Sequence, residues 1–179
     1  KSDIVLVETT YANRKHRSFE DSIKEFKEAI LKTFERGGVV LIPTFALERA
    51  QDILYILKKM YDDGELPECK VFLDSPLAIS ITQTFRRHPE CLEEEVLKEF
   101  EKRDLFSFPY LKFTRTVRES IKINDVKERA IIIAGNGMCT GGRILHHLKH
   151  RLWDEKNTII FVGYQAEGTT GRKIIEGAK

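Results

Sequence analysis

No apolar run in this 179-residue sequence approaches the ~20 residues that a helix needs to cross a bilayer, so a helical membrane span is not expected. No secretory leader is read either, because Lys1-Ser2-Asp3 runs straight into the strand-like Ile4-Val5-Leu6-Val7. A buried-strand pattern with so little before it is expected of a segment excised from a longer chain. Cysteine is scarce: Cys69, Cys91 and Cys139 are odd in number, far apart and never in a CxxC pair. That argues against a disulfide framework and for a reduced, cytoplasmic setting. Charge of one sign is lacking too. Thirty Lys and Arg against 28 Asp and Glu leave a net charge of +2, so anion binding has to come from local placement rather than bulk charge. No repeat or low-complexity linker appears, and no His-x-His-x-Asp-His cluster occurs to hold a pair of metal ions.

What the chain does have is material for one compact domain, with 41% apolar and 32% charged residues. Apolar β-type runs alternate with helical periodicity. Ile4–Val7 reads as a strand. A helix follows from about Ser18, with Phe19, Ile23, Phe26, Ile30 and Phe34 on one face and Ser18 with Asp21 as a capping box. Val39–Ile42 is a second strand, about Glu48 to Tyr61 a helix facing inward through Ile53, Leu54, Leu57 and Met60, and Lys70–Leu73 a third strand. Residues 76–103 are helical with a break near His88-Pro89, 111–114 a short strand, and 116–123 a short helix. Ala130–Ala134 is a buried strand feeding a glycine-rich loop, then a helix from about Gly142 to Leu152. Thr158–Val162 is the last strand, before a second glycine-rich loop and a final helix. Uniformly apolar strands separated by helices imply an α/β fold, a mostly parallel β-sheet with helices on both faces.

In such a sheet, ligands bind beyond the carboxyl ends of the strands. Five features fall there: 8–11, 43–45, 74–76, the 135–142 loop and the 163–171 loop. Two glycine-rich loops before helices, with Ser75 at another helix start, favour a phosphate-binding rim. Glu8 ends an apolar strand, where a carboxylate needs a partner; it is either a hydrogen-bonded structural acid or an acid facing an active site. Basic residues cluster at 14–17, at 86–88 and from His146 through Arg151, each compatible with a solvated face. His146 and His150 stand four apart on a helix, but the glutamate of HExxH is missing and Lys149 is adjacent, so no metal is assigned there. The alternative from another class is a dinucleotide-binding enzyme domain. Gly135-x-Gly137-x-x-Thr140 follows a strand, yet its third glycine is a threonine and no acid ends a strand at the right distance.

Taken in order, several segments resemble one family. Val7-Glu8-Thr9-Thr10-Tyr11, Gly37-Gly38 through Leu41-Ile42-Pro43-Thr44-Phe45-Ala46 to Arg49-Ala50-Gln51, Leu73-Asp74-Ser75-Pro76-Leu77-Ala78, Gly135-Asn136-Gly137-Met138 with Gly141-Gly142-Arg143, and Val162-Gly163-Tyr164-Gln165-Ala166 with Gly168-Thr169 are similar to the β-CASP branch of the metallo-β-lactamase superfamily. The nearest likeness is to RNA-processing nucleases related to the cleavage and polyadenylation endonuclease. The resemblance implies a Rossmann-like three-layer β-CASP domain over 1–179, with 1–12 as the last strand and motif of a flanking lactamase domain. It further implies RNA as partner, two zinc ions held by that other domain of the full-length protein, no metal in this chain, and no hydrolytic activity for the chain alone. By the same resemblance Glu8 supports a catalytic histidine absent here, although Thr9 and Ala12 depart from the commoner Glu-Ser-Thr-Tyr-Gly form. Thr9, Tyr11, Ser75, Asn136, Met138, Thr140, Gly141, Gly142, Gln165, Gly168 and Thr169 are then expected to face RNA. Arg49 is either an internal organiser or a phosphate contact, and Met138 and Tyr164 either stack on nucleotides or pack in the core. A homodimer is left open, no membrane partner is expected, and a pure interaction module on the same fold is a third reading.

Overall fold

The computed structural model describes residues 2–13 and 15–177, so Lys1 and the Arg14 member of the first basic cluster lie outside the described residues. Its centre is a five-stranded sheet. The strands β1 (Val39–Pro43), β2 (Lys70–Leu73), β3 (Leu111–Phe113), β4 (Ala130–Ala134) and β5 (Thr158–Ile159) run in the order β3-β2-β4-β1-β5. Every pairing is parallel, with Val39 to Pro43 in register with Ala130 to Ala134, and Lys70 to Leu73 with Ala130 to Ile133. β1 and β4 are buried at every position because both of their faces are covered.

Alternation along each strand divides the core in two. Val40, Ile42, Val71, Leu73, Ile131 and Ile133 point to one face. There they meet α1 (Phe19–Glu35), α2 (Arg49–Asp62) and α3 (Pro76–Arg87). Val39, Leu41, Phe72, Ala130, Ile132 and Ala134 point to the other. That side is covered by Ile123 after α5 (Val117–Lys122), by Ile144 and Leu148 of α6 (Ile144–Arg151), and by Ile174 of α7 (Thr170–Ile175). A short α4 (Glu94–Phe100) lies between α3 and β3. No helix among the described residues is long and apolar enough to cross a membrane.

Local chemistry explains most boundaries. The Ser18 side chain accepts from the Asp21 amide at 3.0 Å and starts α1; only this half of the expected capping box forms. Phe26, Ile30 and Phe34 are buried, whereas Phe19, at the helix start, is exposed. All four inward positions expected on α2 are buried. Ser75 caps α3 with proline at its first position, and Thr116 with Glu119 forms a full capping box on α5.

Two strand expectations are corrected. Ile4–Val7 forms no strand and is exposed, because no described segment lies alongside to complete its ladder. The run 158–162 pairs only over Thr158–Ile159, since β1 meets it at Val40 and Leu41 and the Ile160 amide then bonds Leu41 O as the ladder ends.

Ile132 is enclosed on the second face by α6 and is wholly buried. Ile132→Ala is expected to lower unfolding free energy by about 2–5 kcal/mol, read from urea denaturation followed by circular dichroism.

Candidate functional site

From β1 the chain crosses the first face to β2 and β3. It returns over the second face to β4, which inserts beside β1, and then crosses to β5. The loops leaving β1 and β4 therefore depart to opposite faces. Between two neighbouring parallel strands this opens a crevice at their carboxyl ends, the usual ligand position of a doubly wound sheet. Its walls are 43–48 on one side and 135–143 on the other, joined where the Thr44 amide donates to Ala134 O at 3.0 Å.

The glycine loop is folded on itself. Asn136 N donates to Gly141 O, Cys139 N to Asn136 O, Ile144 N to Gly135 O, and the Met138 amide to Asn136 Oδ1 at 2.8 Å. The amides of Gly137, Thr140, Gly141 and Gly142 have no partner among the described residues, and α6 begins without a side-chain cap. Uncommitted amides at a helix start form an anion cradle. Two glycines are required by geometry. Gly142 has φ +76, and a Cβ there would lie 2.4 Å from Gly135 O; one on Gly137 would lie 2.8 Å from the Phe45 ring. Backbone strain gathers here as well. Glu48 (φ 62) and Cys139 (φ 56), one on each wall, hold positive φ without being glycine, at a cost of roughly 1–3 kcal/mol each.

Beneath the crevice lies a buried ionic knot. Asp74, just past β2, is fully buried. Its Oδ1 accepts from Thr114 Oγ1 and Arg143 Nη1, both at 2.7 Å, and its Oδ2 from Ser120 Oγ and His147 Nε2, both at 2.6 Å. Burial alone would push this carboxyl up, but hydrogen bonds from His147, Ser120, Thr114 and Arg143 outweigh it and hold it at about 2. An ionised Asp74 requires Nε2 of His147 to be the donor, which leaves buried Nδ1 without a partner. Arg143 goes on to donate to Thr114 O and Arg115 O at 2.9 Å. The knot thus ties the ends of β2 and β3 to α5 and to the base of the glycine loop.

The second glycine-rich loop is zipped to the first. The buried Gln165 donates through Nε2 to Gly137 O at 2.9 Å, and the Gly171 amide donates to Met138 O at 3.0 Å. Gln165 therefore holds two loops together from inside. Thr169 is engaged internally too, accepting from Arg172 N and donating to Ala166 O. Ser75 lies by Gly135 and accepts from the Ala78 amide, leaving its own hydroxyl proton uncommitted. Asn136 and Met138 are half-buried, Thr140 and Gly168 exposed. Arg49 opens α2 with half its side chain exposed, 3.3 Å from Asp52. Glu8 is exposed and accepts from the Thr10 amide; hydrogen bonding from the Thr10 side chain, and then from that amide, lowers its pKa, and Thr9 beside it is exposed. Tyr11 reaches across to Tyr164, their rings edge to face at 5.8 Å, which brings the 8–11 segment to the crevice.

Asp74, Arg143 and His147 escaped the sequence reading as a unit. The available signal was a carboxylate at the end of an apolar strand, the same argument that singled out Glu8; a donor 73 residues away cannot be located by it. Of the helix-α6 histidines, His146 and His150 are exposed, and His150 Nδ1 is 2.7 Å from His146 O. No three His, Cys, Asp or Glu side chains among the described residues gather into a group that could hold a metal ion. Cys69 and Cys139 are poor nucleophiles, burial pushing their thiols up to about 12 and about 11.

Fold and crevice together define a doubly wound α/β domain with a glycine-rich loop at its switch point. Residues 50–174 match the Beta-Casp domain model, and the chain belongs to that family. It is 43% identical over 176 residues to Ribonuclease TTHA0252 of Thermus thermophilus, covering 97% of this chain and 40% of that protein. It is 36% identical over 186 residues to Transcription termination factor FttA of Methanocaldococcus jannaschii, covering 99% of this chain and 28% of that protein. An RNase J-like protein of the same organism is 36% identical over 182 residues, 99% of this chain and 41% of its own length. The chain thus spans less than half the length of each of these relatives.

Asp74→Asn removes the buried carboxylate that pairs with part-buried Arg143 and is expected to cost about 3 kcal/mol in urea unfolding. Because the folded Asp74 holds its proton more weakly than the ordinary carboxyl at 3.8, its stabilisation is complete above that pH and is lost as pH falls towards about 2. Acid titration of wild type should show that loss, and the variant should lack this component. A thiol reagent should modify exposed Cys91 rapidly in the native protein, and buried Cys69 and Cys139 only after unfolding.

Proposed function

We propose that this chain is the RNA-clamping β-CASP domain of a zinc-dependent ribonuclease. The observation that carries the reading is the switch-point crevice, where uncommitted amides of the glycine loop stand beside the Ser75 hydroxyl and the Asn136 side chain. Such a surface engages phosphates and hydroxyls without reading bases. The names of the relatives, a ribonuclease and an RNase J-like protein, support RNA as the ligand. The metal ligands are assigned to another part of the polypeptide, in keeping with the length of those relatives. The exposed apolar residues Ile4, Val5, Leu6 and Val7 are assigned to the seam with that metallo-β-lactamase domain, since burying them would remove four adjacent apolar side chains from water. Glu8 then stands at the seam, as a positioning acid facing a histidine of the other domain. Cytoplasmic RNA processing or decay is the corresponding role.

A fluorescent single-stranded oligoribonucleotide titrated into the chain tests the reading. Binding should weaken with salt with a log–log slope of about −2, equivalent to about three phosphates at roughly −0.7 each. Added zinc should produce no cleavage. Asn136→Ala should weaken binding at least about tenfold, the loss of one hydrogen bond to a charged group. Saturable NAD binding that an excess of oligonucleotide does not displace would overturn the reading in favour of a dinucleotide enzyme.

A further inference from the structure

Beside the glycine loop, at the carboxyl ends of β1 and β5, lies a cavity of about 220 Å³ whose walls include Tyr11, Phe45, Glu48, Arg49, Gly137 and Tyr164. We propose that this cavity is a stacking subsite for one unpaired nucleobase, adjoining the phosphate cradle. The proposal rests on the RNA-clamping reading and adds to it a contact with a base.

Size limits the occupant. The volume falls below the about 300–1,000 Å³ of pockets for drug-sized ligands, which suits a single ring system and is too small for an enclosed dinucleotide. Ring geometry supplies the platform. Tyr11 and Tyr164 meet edge to face at 83°, which sets the two rings at a fixed angle on the cavity wall. Phe45 lies against the Gly137 backbone, so close that a Cβ on Gly137 would strike it, yet 45% of it remains exposed. An aromatic ring held against a rigid backbone while half open to solvent is prepared to stack, because little freedom is left to lose on binding. Glu48 adds direction. Glu48 is among the lining residues, and a carboxylate near the cavity would repel a phosphate but accept from the N–H edge of a base, which directs the base here and the phosphate to the glycine loop. Arg49 also lines the cavity, its guanidinium only loosely tied to Asp52.

A base can enter only if it is not paired, so the subsite makes the clamp selective for single strands. The test compares three ligands on the full chain: a single-stranded oligoribonucleotide, its counterpart of the same length with abasic sites, and the duplex form. Wild type should bind the normal strand at least about fivefold more tightly than the abasic one, the lower end of base–aromatic stacking effects. Phe45→Ala should abolish that preference while leaving affinity for the abasic strand unchanged. Tyr164→Phe, which keeps the ring, should retain the preference, and circular dichroism melting should report whether each variant is folded. Equal affinity of wild type for normal and abasic strands overturns the subsite and leaves the clamp standing. Binding of neither strand overturns both.

Discussion

The carboxylate of Asp74 organises the carboxyl end of this sheet. Four donors from three separate segments converge on it: Thr114 anchors the exit of β3, Ser120 holds α5, and Arg143 with His147 fixes the first turns of α6. A charge in the interior is tolerated only when its hydrogen-bonding capacity is filled, and here both oxygens are filled twice. The cost of burying the charge thereby becomes a constraint on geometry. Should any partner leave, the others face an unsatisfied carboxylate, so the loop above the knot inherits the rigidity of the core.

That rigidity serves the crevice. The glycine loop has no side-chain cap on α6, because the residue preceding that helix is Arg143, whose guanidinium reaches into the knot. The loop is instead held by Asp74 through Arg143 and by Gln165 and Gly171. Both supports leave the amides of Gly137, Thr140, Gly141 and Gly142 without a partner among the described residues. The positive φ of Glu48 and Cys139 fits the same division, since strain on the two walls is sustained by the packed elements that flank them.

The chain is a member of the Beta-Casp family. A doubly wound sheet gathers the loops that follow its strands at one edge. The exposed apolar run 4–7 and the Tyr11–Tyr164 contact lie on the same stretch of chain that reaches this edge.

The sequence by itself determined the α/β class, the parallel sheet and nearly every element boundary, because these depend on local periodicity, caps and glycine placement. It also located the glycine loops, Ser75 and Asn136 at the ligand edge, since the carboxyl ends of apolar strands are readable one segment at a time. Only the tertiary structure decided the order β3-β2-β4-β1-β5, and with it which two loops face each other across the crevice. It alone turned Gln165 inward as a tie between loops. It left Ile4–Val7 without a strand partner, and it showed that a second carboxylate, Asp74, draws all four of its partners from distant segments. The physical reason is common to all four: each depends on atoms distant in sequence meeting within hydrogen-bond range, and periodicity carries no information about such meetings.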